Sequence, residues 1–146
     1  MTNSSKRVIL VAGMHRGGTS ALARALPLLG AGLGANLLAP NPVDNRRGFF
    51  EDVDVKTLNE NLLKVLGHDW HTLGRIDDLD LNLPEVARLR RRASAILRAK
   101  LDAEPLFGLK DPRISRVMPF WNDVFARLKA APGYVIAYRN PRSVAR

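Results

Sequence analysis

The sequence predicts an α/β fold in which a parallel sheet carries helices on both faces, giving three layers. Three short apolar runs alternate with stretches of helical spacing along the 146 residues. A glycine-containing loop joins the first apolar run to the first helical stretch. Hydrophobic residues make up 46% of the chain, enough to form the core of one domain, so we expect a single domain over residues 1–146.

The first half of the chain predicts one strand and two helices. Residues 7–13 (RVILVAG) are apolar and short, as in a buried strand. Residues 19–29 predict a helix that Pro27 should kink or end, because proline lacks an N–H. The turn-rich residues 30–48 predict a loop. Residues 51–67 carry apolar side chains at helical spacing and predict the second helix.

The second half predicts two more strands, two more helices and the start of a third. Pro84 suits the first turn of a long basic helix, where its missing N–H costs nothing. The elements we expect, in order, are an irregular stretch at 68–83, helix 84–103, strand 105–109, helix 116–131, buried strand 133–138 and the start of a helix at 140–146. Three strands leave two sheet edges that need cover, and the last helix is about one turn long. We therefore expect the fold to be truncated, with the C-terminal portion missing.

The charge of the chain favours an anionic partner. Lys and Arg number 23 against 14 Asp and Glu, so the net charge is +9. Six of these cations lie between Arg88 and Lys100, where a solvated helix face is the simplest explanation. The interleaving of cations and aromatic residues that is typical of single-strand binding is missing, so we expect no nucleic-acid partner.

Composition also bears on location and metal chemistry. The chain has no cysteine, which excludes disulfides and thiolate metal sites. The polar start MTNSSKR lacks the apolar region of a secretory signal, and no apolar stretch approaches the ~20 residues of a membrane span. We expect a cytoplasmic protein without a transmembrane segment, for which an oligomer is possible.

The stretch GMHRGGTS at residues 13–20 predicts an anion-binding loop. Backbone N–H groups of a glycine-containing loop between a strand and a helix converge on a bound anion. The spacing matches the phosphate loop of nucleotide hydrolases, but Thr19 stands where those loops have lysine, and Arg16 supplies the cation instead. The residues expected to hold the anion are Gly13, His15, Arg16, Gly17, Gly18, Thr19 and Ser20.

This loop resembles the 5′-phosphosulfate loop of sulfotransferases, which transfer a sulfuryl group from 3′-phosphoadenosine 5′-phosphosulfate (PAPS). A second motif strengthens the resemblance. Arg139-Asn140-Pro141 follows the third apolar run and is similar to the family's 3′-phosphate motif. The resemblance implies a P-loop-like fold and a 3′-phosphate held by Arg139. The family's second ligand, a serine eight residues later, falls one residue beyond Arg146, and Ser143 is not its equivalent.

Sulfuryl transfer needs a base and cations, and the resemblance suggests both. Relatives that act on carbohydrates or tyrosine use a glutamate as base, and Glu51 is the matching candidate, with Asp52 a weaker one. We expect the positive end of the following helix to keep Glu51 ionised. Arg16 and Lys110 would stabilise charge on the transferring group. Alternatively, Lys110 belongs to a surface ion-pair cluster formed with Asp111 and Arg113.

Two other functions compete with sulfuryl transfer. Asp111 could hold Mg²⁺ in a P-loop kinase or NTPase, and the basic charge could serve a nucleic-acid-binding module. His68 and His71 flank Asp69, but no third metal ligand is evident, so we expect no metal. The acceptor stays open among carbohydrate, lipid, peptide and small alcohol. We expect the 146 residues alone to be weakly active or inactive, because the 3′-phosphate motif is incomplete.

The remaining aromatic and cationic side chains near these motifs are expected to have ordinary roles. Trp70, Trp121 and Phe120 fit the core or a pocket wall better than a base-stacking platform. Arg46 and Arg47 fit exposed loop charges better than ligands of the acceptor or of PAPS.

Overall fold

The α/β fold is confirmed by a computed structural model, which describes residues 6–144 apart from the side chains of residues 78 and 79. Its sheet has three parallel strands, β1 (Arg7–Ala12), β2 (Leu106–Lys110) and β3 (Ala131–Ile136). β1 lies between the other two, in the order β2-β1-β3. All three strands therefore end at the same edge of the sheet, next to the loop that follows β1.

The helices lie close to their predicted positions. Short 3-10 segments follow α1 and precede α3 and α4, at Leu26–Leu29, Asp78–Asn82 and Pro112–Arg116. The helices are α1 (Thr19–Ala25), α2 (Val53–Val65), α3 (Pro84–Ala103), α4 (Met118–Leu128) and α5 (Pro141–Val144). Pro27 does end α1, and Gly30 closes the segment in the left-handed conformation that glycine tolerates.

The central strand has a buried core on each face. Val8 and Leu10 point to one face and join the large core formed with α2, α3 and α4. Ile9 and Val11 point to the other face and pack with Leu26, at the end of α1, and its neighbours. This alternation produces the three layers that the sequence predicts.

α3 is the longest helix, and its arginines lie on its solvent side. Its buried residues recur every three or four positions: Val86, Leu89, Ala93, Leu97 and Leu101. Arg88, Arg91, Arg92 and Arg98 are exposed, as expected for a solvated face. No helix within residues 6–144 is both long and apolar enough to cross a bilayer.

The two outer strands differ in how their edges are covered. The N–H of Gly32 donates to the carbonyl of Leu106, and the carbonyl of Gly32 accepts from Gly108. One loop residue thus caps the outer edge of β2. β3 was predicted as a buried strand over 133–138 but runs over 131–136 and is largely exposed. The prediction was wrong because, within residues 6–144, β3 has a paired strand on one side only.

Candidate functional site

The loop after β1 is wound tightly by two left-handed residues. Arg16 has φ of 61° and Gly18 has φ of 96°, and the N–H of Gly17 donates to the carbonyl of Met14. Left-handed backbone is costly for a residue with a Cβ, and it often marks a ligand-binding site. Within residues 6–144, the backbone N–H groups of Arg16, Gly18 and Thr19 have no hydrogen-bond acceptor. These free donors can serve a bound anion.

Gly13 lets this loop approach the segment that follows β3. A Cβ at Gly13 would lie 2.8 Å from the carbonyl oxygen of Ala137, closer than real Cβ atoms come. Gly13 also has φ of 147°, which favours glycine. The two motifs that the sequence places far apart are therefore adjacent in the fold.

Arg139 reaches across to the loop. Nη1 of Arg139 lies 3.5 Å from the backbone carbonyl oxygen of Arg16, which is 123 residues earlier in the chain. Both side chains are exposed, and neither forms an ion pair with another of the described residues. Two arginines without an ion-pair partner among the described residues therefore stand at the carboxyl ends of β1 and β3, which is where ligands of open α/β sheets bind.

A pocket of about 810 Å³ opens at this edge and collects most of the predicted residues. Those that line it are His15, Arg16, Gly18, Thr19, Ser20, Glu51, Lys110 and Arg139. Gly13 and Gly17 do not line it, and act through the path of the loop backbone. The volume is within the ~300–1,000 Å³ range of small-molecule sites.

Lys110 brings a second cation to the loop from the end of β2. Its Nζ donates to Glu51 Oε1 at 2.7 Å, to the carbonyl of Phe49 at 3.0 Å and to Ser20 Oγ at 3.3 Å. Ser20 follows Thr19, the residue that stands where nucleotide hydrolases have lysine. An ammonium group is thus present beside the loop, delivered from a different strand.

Glu51 is the centre of a buried ion cluster. It is only 4% exposed, and its second oxygen accepts from Arg113 Nη1 at 3.3 Å. Burial alone would lower the pKa of the Arg113 guanidinium, but Asp111 and Glu51 raise it above its ordinary value, so Arg113 stays charged. The sequence left open that Lys110, Asp111 and Arg113 form an ion-pair cluster on the surface. That alternative is wrong, because Lys110 and Arg113 are only 3% and 8% exposed.

The structure also corrects the environment of Glu51. α2 begins at Val53, not at residue 51, and its cap is Asp52. The Asp52 side chain accepts from the N–H groups of Asp54 and Val55 and pairs with Lys100, so it is committed to structure. Glu51 precedes the helix, and Lys110 and Arg113, not the helix end, face its negative charge.

Asp111 also has a structural role, because its oxygens are occupied by buried hydrogen bonds. It is fully buried, and its oxygens accept from Asn59 Nδ2 at 2.9 Å and from Arg113 Nη1 at 2.8 Å. Trp121 Nε1 in turn donates to Asn59 Oδ1 at 2.9 Å. Asp111 does not line the pocket. A metal ion there would have to break this buried network.

His15 and Trp70 add two aromatic rings to the lining of the pocket. Their rings lie 5.2 Å apart, and Trp70 is 56% exposed, whereas Trp121 and Phe120 are in the core. Nε2 of His15 is buried and has no hydrogen-bond partner among the described residues. Burial lowers the pKa of His15, and the charge of Arg113 adds to this, so His15 is neutral at pH 7.

Several pocket residues were not predicted as site residues. Glu60, Asn45 and Phe49 line the pocket, and so do Arg113 and Trp70. They lie on α2, in the 3-10 segment before α4 and in loops. Phe49 contacts Lys110 at the end of β2, and Arg116 holds the loop around residues 68–74, so only the folded chain brings these residues together. Aromatic and charged residues in irregular segments were the only sequence signal for these positions, because binding residues are often found on loops. Within the described residues, no three potential metal ligands cluster.

Comparisons of the chain with protein-family models, curated proteins and solved structures found no match. The function is therefore inferred from the residues of the pocket and their geometry.

Proposed function

We propose that the pocket binds PAPS and that its residues promote transfer of the sulfuryl group to an acceptor hydroxyl. The meeting of Arg16 and Arg139 carries this proposal, because it joins the two motifs of the sulfotransferase resemblance in one pocket. The parallel pairing of β1 with β3 brings the loops after these strands together, so that one ligand could contact both arginines.

The anion side of the pocket fits the two charged ends of PAPS. Free N–H groups of the loop, together with Arg16, suit the 5′-phosphosulfate, and Arg139 suits the 3′-phosphate. α1 has only seven residues, so the loop amides and the arginines matter more here than a helix dipole. When bound, PAPS would supply the sulfuryl group and leave as adenosine 3′,5′-bisphosphate.

Lys110 and Glu51 are suited to the chemistry. Lys110 Nζ, beside Ser20, can stabilise negative charge that develops on the leaving oxygen. Glu51 Oε1 and Oε2 each have a lone pair that is not used by Lys110 or Arg113, so the carboxylate can accept the proton of an acceptor hydroxyl. As that proton arrives, Arg113 keeps its pairs with Asp111 and Glu60.

The kinase alternative has less support. Asp111, the residue considered for Mg²⁺, is hydrogen-bonded to Asn59 and Arg113 and does not line the pocket. ATP would therefore have to bind without a metal-ligating carboxylate at that strand end.

Thermal unfolding with added ligands tests the proposal. We expect PAPS and adenosine 3′,5′-bisphosphate to raise the Tm of the chain more than ATP–Mg²⁺ or a single-stranded oligonucleotide does. A ligand at 100 times its Kd adds about 2.7 kcal/mol of stability. If ATP–Mg²⁺ is clearly the better ligand, the sulfotransferase proposal is wrong. A larger shift with the oligonucleotide would instead favour a nucleic-acid-binding module.

A further inference from the structure

The pocket divides into two halves with different charge. The anion half consists of Arg16, Gly18, Thr19, Ser20 and Arg139, and the acceptor half consists of His15, Glu51, Glu60, Trp70 and Arg113. Lys110 stands between them, because its Nζ contacts Ser20 in one half and Glu51 in the other. We place the group that reacts with a ligand of the anion half in the acceptor half.

The acceptor half has no cation available for an anionic acceptor. The guanidinium group of this half belongs to Arg113. The terminal nitrogens of Arg113 pair with Asp111, Glu51 and Glu60 at 2.8, 3.3 and 3.2 Å. Glu60 is 45% exposed in its side chain and adds a carboxylate to the wall. A carboxylated or phosphorylated acceptor would face Glu51 and Glu60 without compensation, which disfavours it.

Two further groups suit an uncharged ring with hydroxyl groups. Trp70 offers an exposed indole surface, against which an apolar ring face can pack. Nε2 of His15 is a buried polar atom that has no partner among residues 6–144, a state that a ligand hydroxyl can relieve. Neutral imidazole both donates and accepts, as a hydroxyl does.

We propose that the acceptor is an uncharged polyhydroxylated ring of the pyranose type, which packs on Trp70 and hydrogen-bonds to His15 and Glu51. A phenol could also stack on Trp70, but it offers one hydroxyl where the pocket presents two groups to be bound, His15 and Glu51. This inference rests on the proposed function, since it assigns the acceptor of that reaction.

Tryptophan fluorescence of the full chain tests this assignment. The chain has two tryptophans, and Trp121 is fully buried, so a change on ligand addition reports on Trp70. The probes are methyl glucoside, methyl glucuronide and p-cresol, each added with adenosine 3′,5′-bisphosphate present. We expect methyl glucoside to bind most tightly. Trp70→Ala should weaken its binding about tenfold, as measured by saturation-transfer NMR.

Two variants separate the acceptor half from the rest. His15→Ala should weaken glucoside binding, and Trp70→Ala should do so while binding of adenosine 3′,5′-bisphosphate stays within about twofold of wild type. Arg92→Ala, on the far surface of α3, should change neither. If the bisphosphate binds but glucoside binds no tighter than glucuronide or p-cresol, the acceptor assignment is wrong and the proposed function stands. If the bisphosphate itself fails to bind, the proposed function is wrong.

Discussion

At the scale of single residues, the two pocket arginines have separable roles. Arg16→Ala should weaken binding of both adenosine 3′,5′-bisphosphate and 5′-AMP, because both carry the 5′-phosphate. Arg139→Ala should weaken only the bisphosphate. A hydrogen bond to a charged group contributes about 1.5–3 kcal/mol, so each loss should be roughly 10- to 150-fold by isothermal titration calorimetry. An Arg16→Ala defect confined to 3′-phosphate recognition would contradict this assignment.

His15 should make the fold sensitive to mild acid. Its pKa in the folded chain is below the ordinary 6.5, so the unfolded chain takes up its proton first as the pH falls. The stability that neutral His15 contributes is thus present above pH 6.5 and is lost below it. We expect His15→Gln to reduce the loss of unfolding free energy between pH 7.5 and 5.5, measured by urea denaturation. An unchanged pH dependence would show that His15 has little effect; His71→Gln is the surface control.

The candidate site was partly predictable from single residues. Arg16, Arg139 and Lys110 each follow a predicted strand, Glu51 was suggested by the family resemblance, and all four line one pocket. Their roles in binding and transfer stay predictions. The position of Trp70 was not predictable, because residues 68–74 have no periodic pattern and only tertiary packing places them.

At the scale of elements, the buried ion cluster fixes the loop before α2 to the end of β2. Glu51→Ala would leave Lys110 without its carboxylate, and removing one partner of a buried pair costs about 3–5 kcal/mol. The double variant Glu51→Leu, Lys110→Met should lose less, because no unpaired ammonium remains. Urea denaturation measures both, with the exposed Glu85→Ala as control. A double variant no more stable than Glu51→Ala would refute this view of the pair.

Asn59 links α2 to α4 and β2 in a similar way. Asn59→Ala leaves the Trp121 Nε1–H and an Asp111 oxygen without their hydrogen-bond partners. Each unsatisfied group costs about 1–3 kcal/mol, so we expect a total loss of about 2–6 kcal/mol. Asn61→Ala, an exposed change on the same helix, should have a small effect. Equal losses in the two variants would argue against the network.

Element types were more predictable than element ends. α3 was predicted at its observed bounds, because its apolar positions repeat over twenty residues and Pro84 marks its start. α4 begins two residues later than predicted, since a 3-10 turn capped by Asp111 takes up the preceding residues. That cap depends on a buried side chain whose position sequence periodicity does not reveal.

At the scale of the whole molecule, the proposed ligand would bridge the loop after β1 and the segment after β3. A bisphosphate that spans Arg16 and Arg139 should slow amide hydrogen exchange in residues 13–20 and 137–143 together. Residues in α3, which does not touch the pocket, should show a smaller change. Hydrogen exchange with mass spectrometry measures both. Slowing in only one of the two segments would mean that the ligand does not bridge the two arginines.

The central place of β1 in the sheet has a consequence for synthesis of the protein. β1 ends at Ala12, and the first strand that pairs with it begins at Leu106, 94 residues later. At about 5–20 residues per second, the ribosome takes about 5–20 seconds to make that partner. During this interval an apolar strand has left the ribosome with both its edges open. β1 is therefore synthesised first but gains its two neighbouring strands last. Until then, the nascent chain must avoid pairing of β1 with other strands.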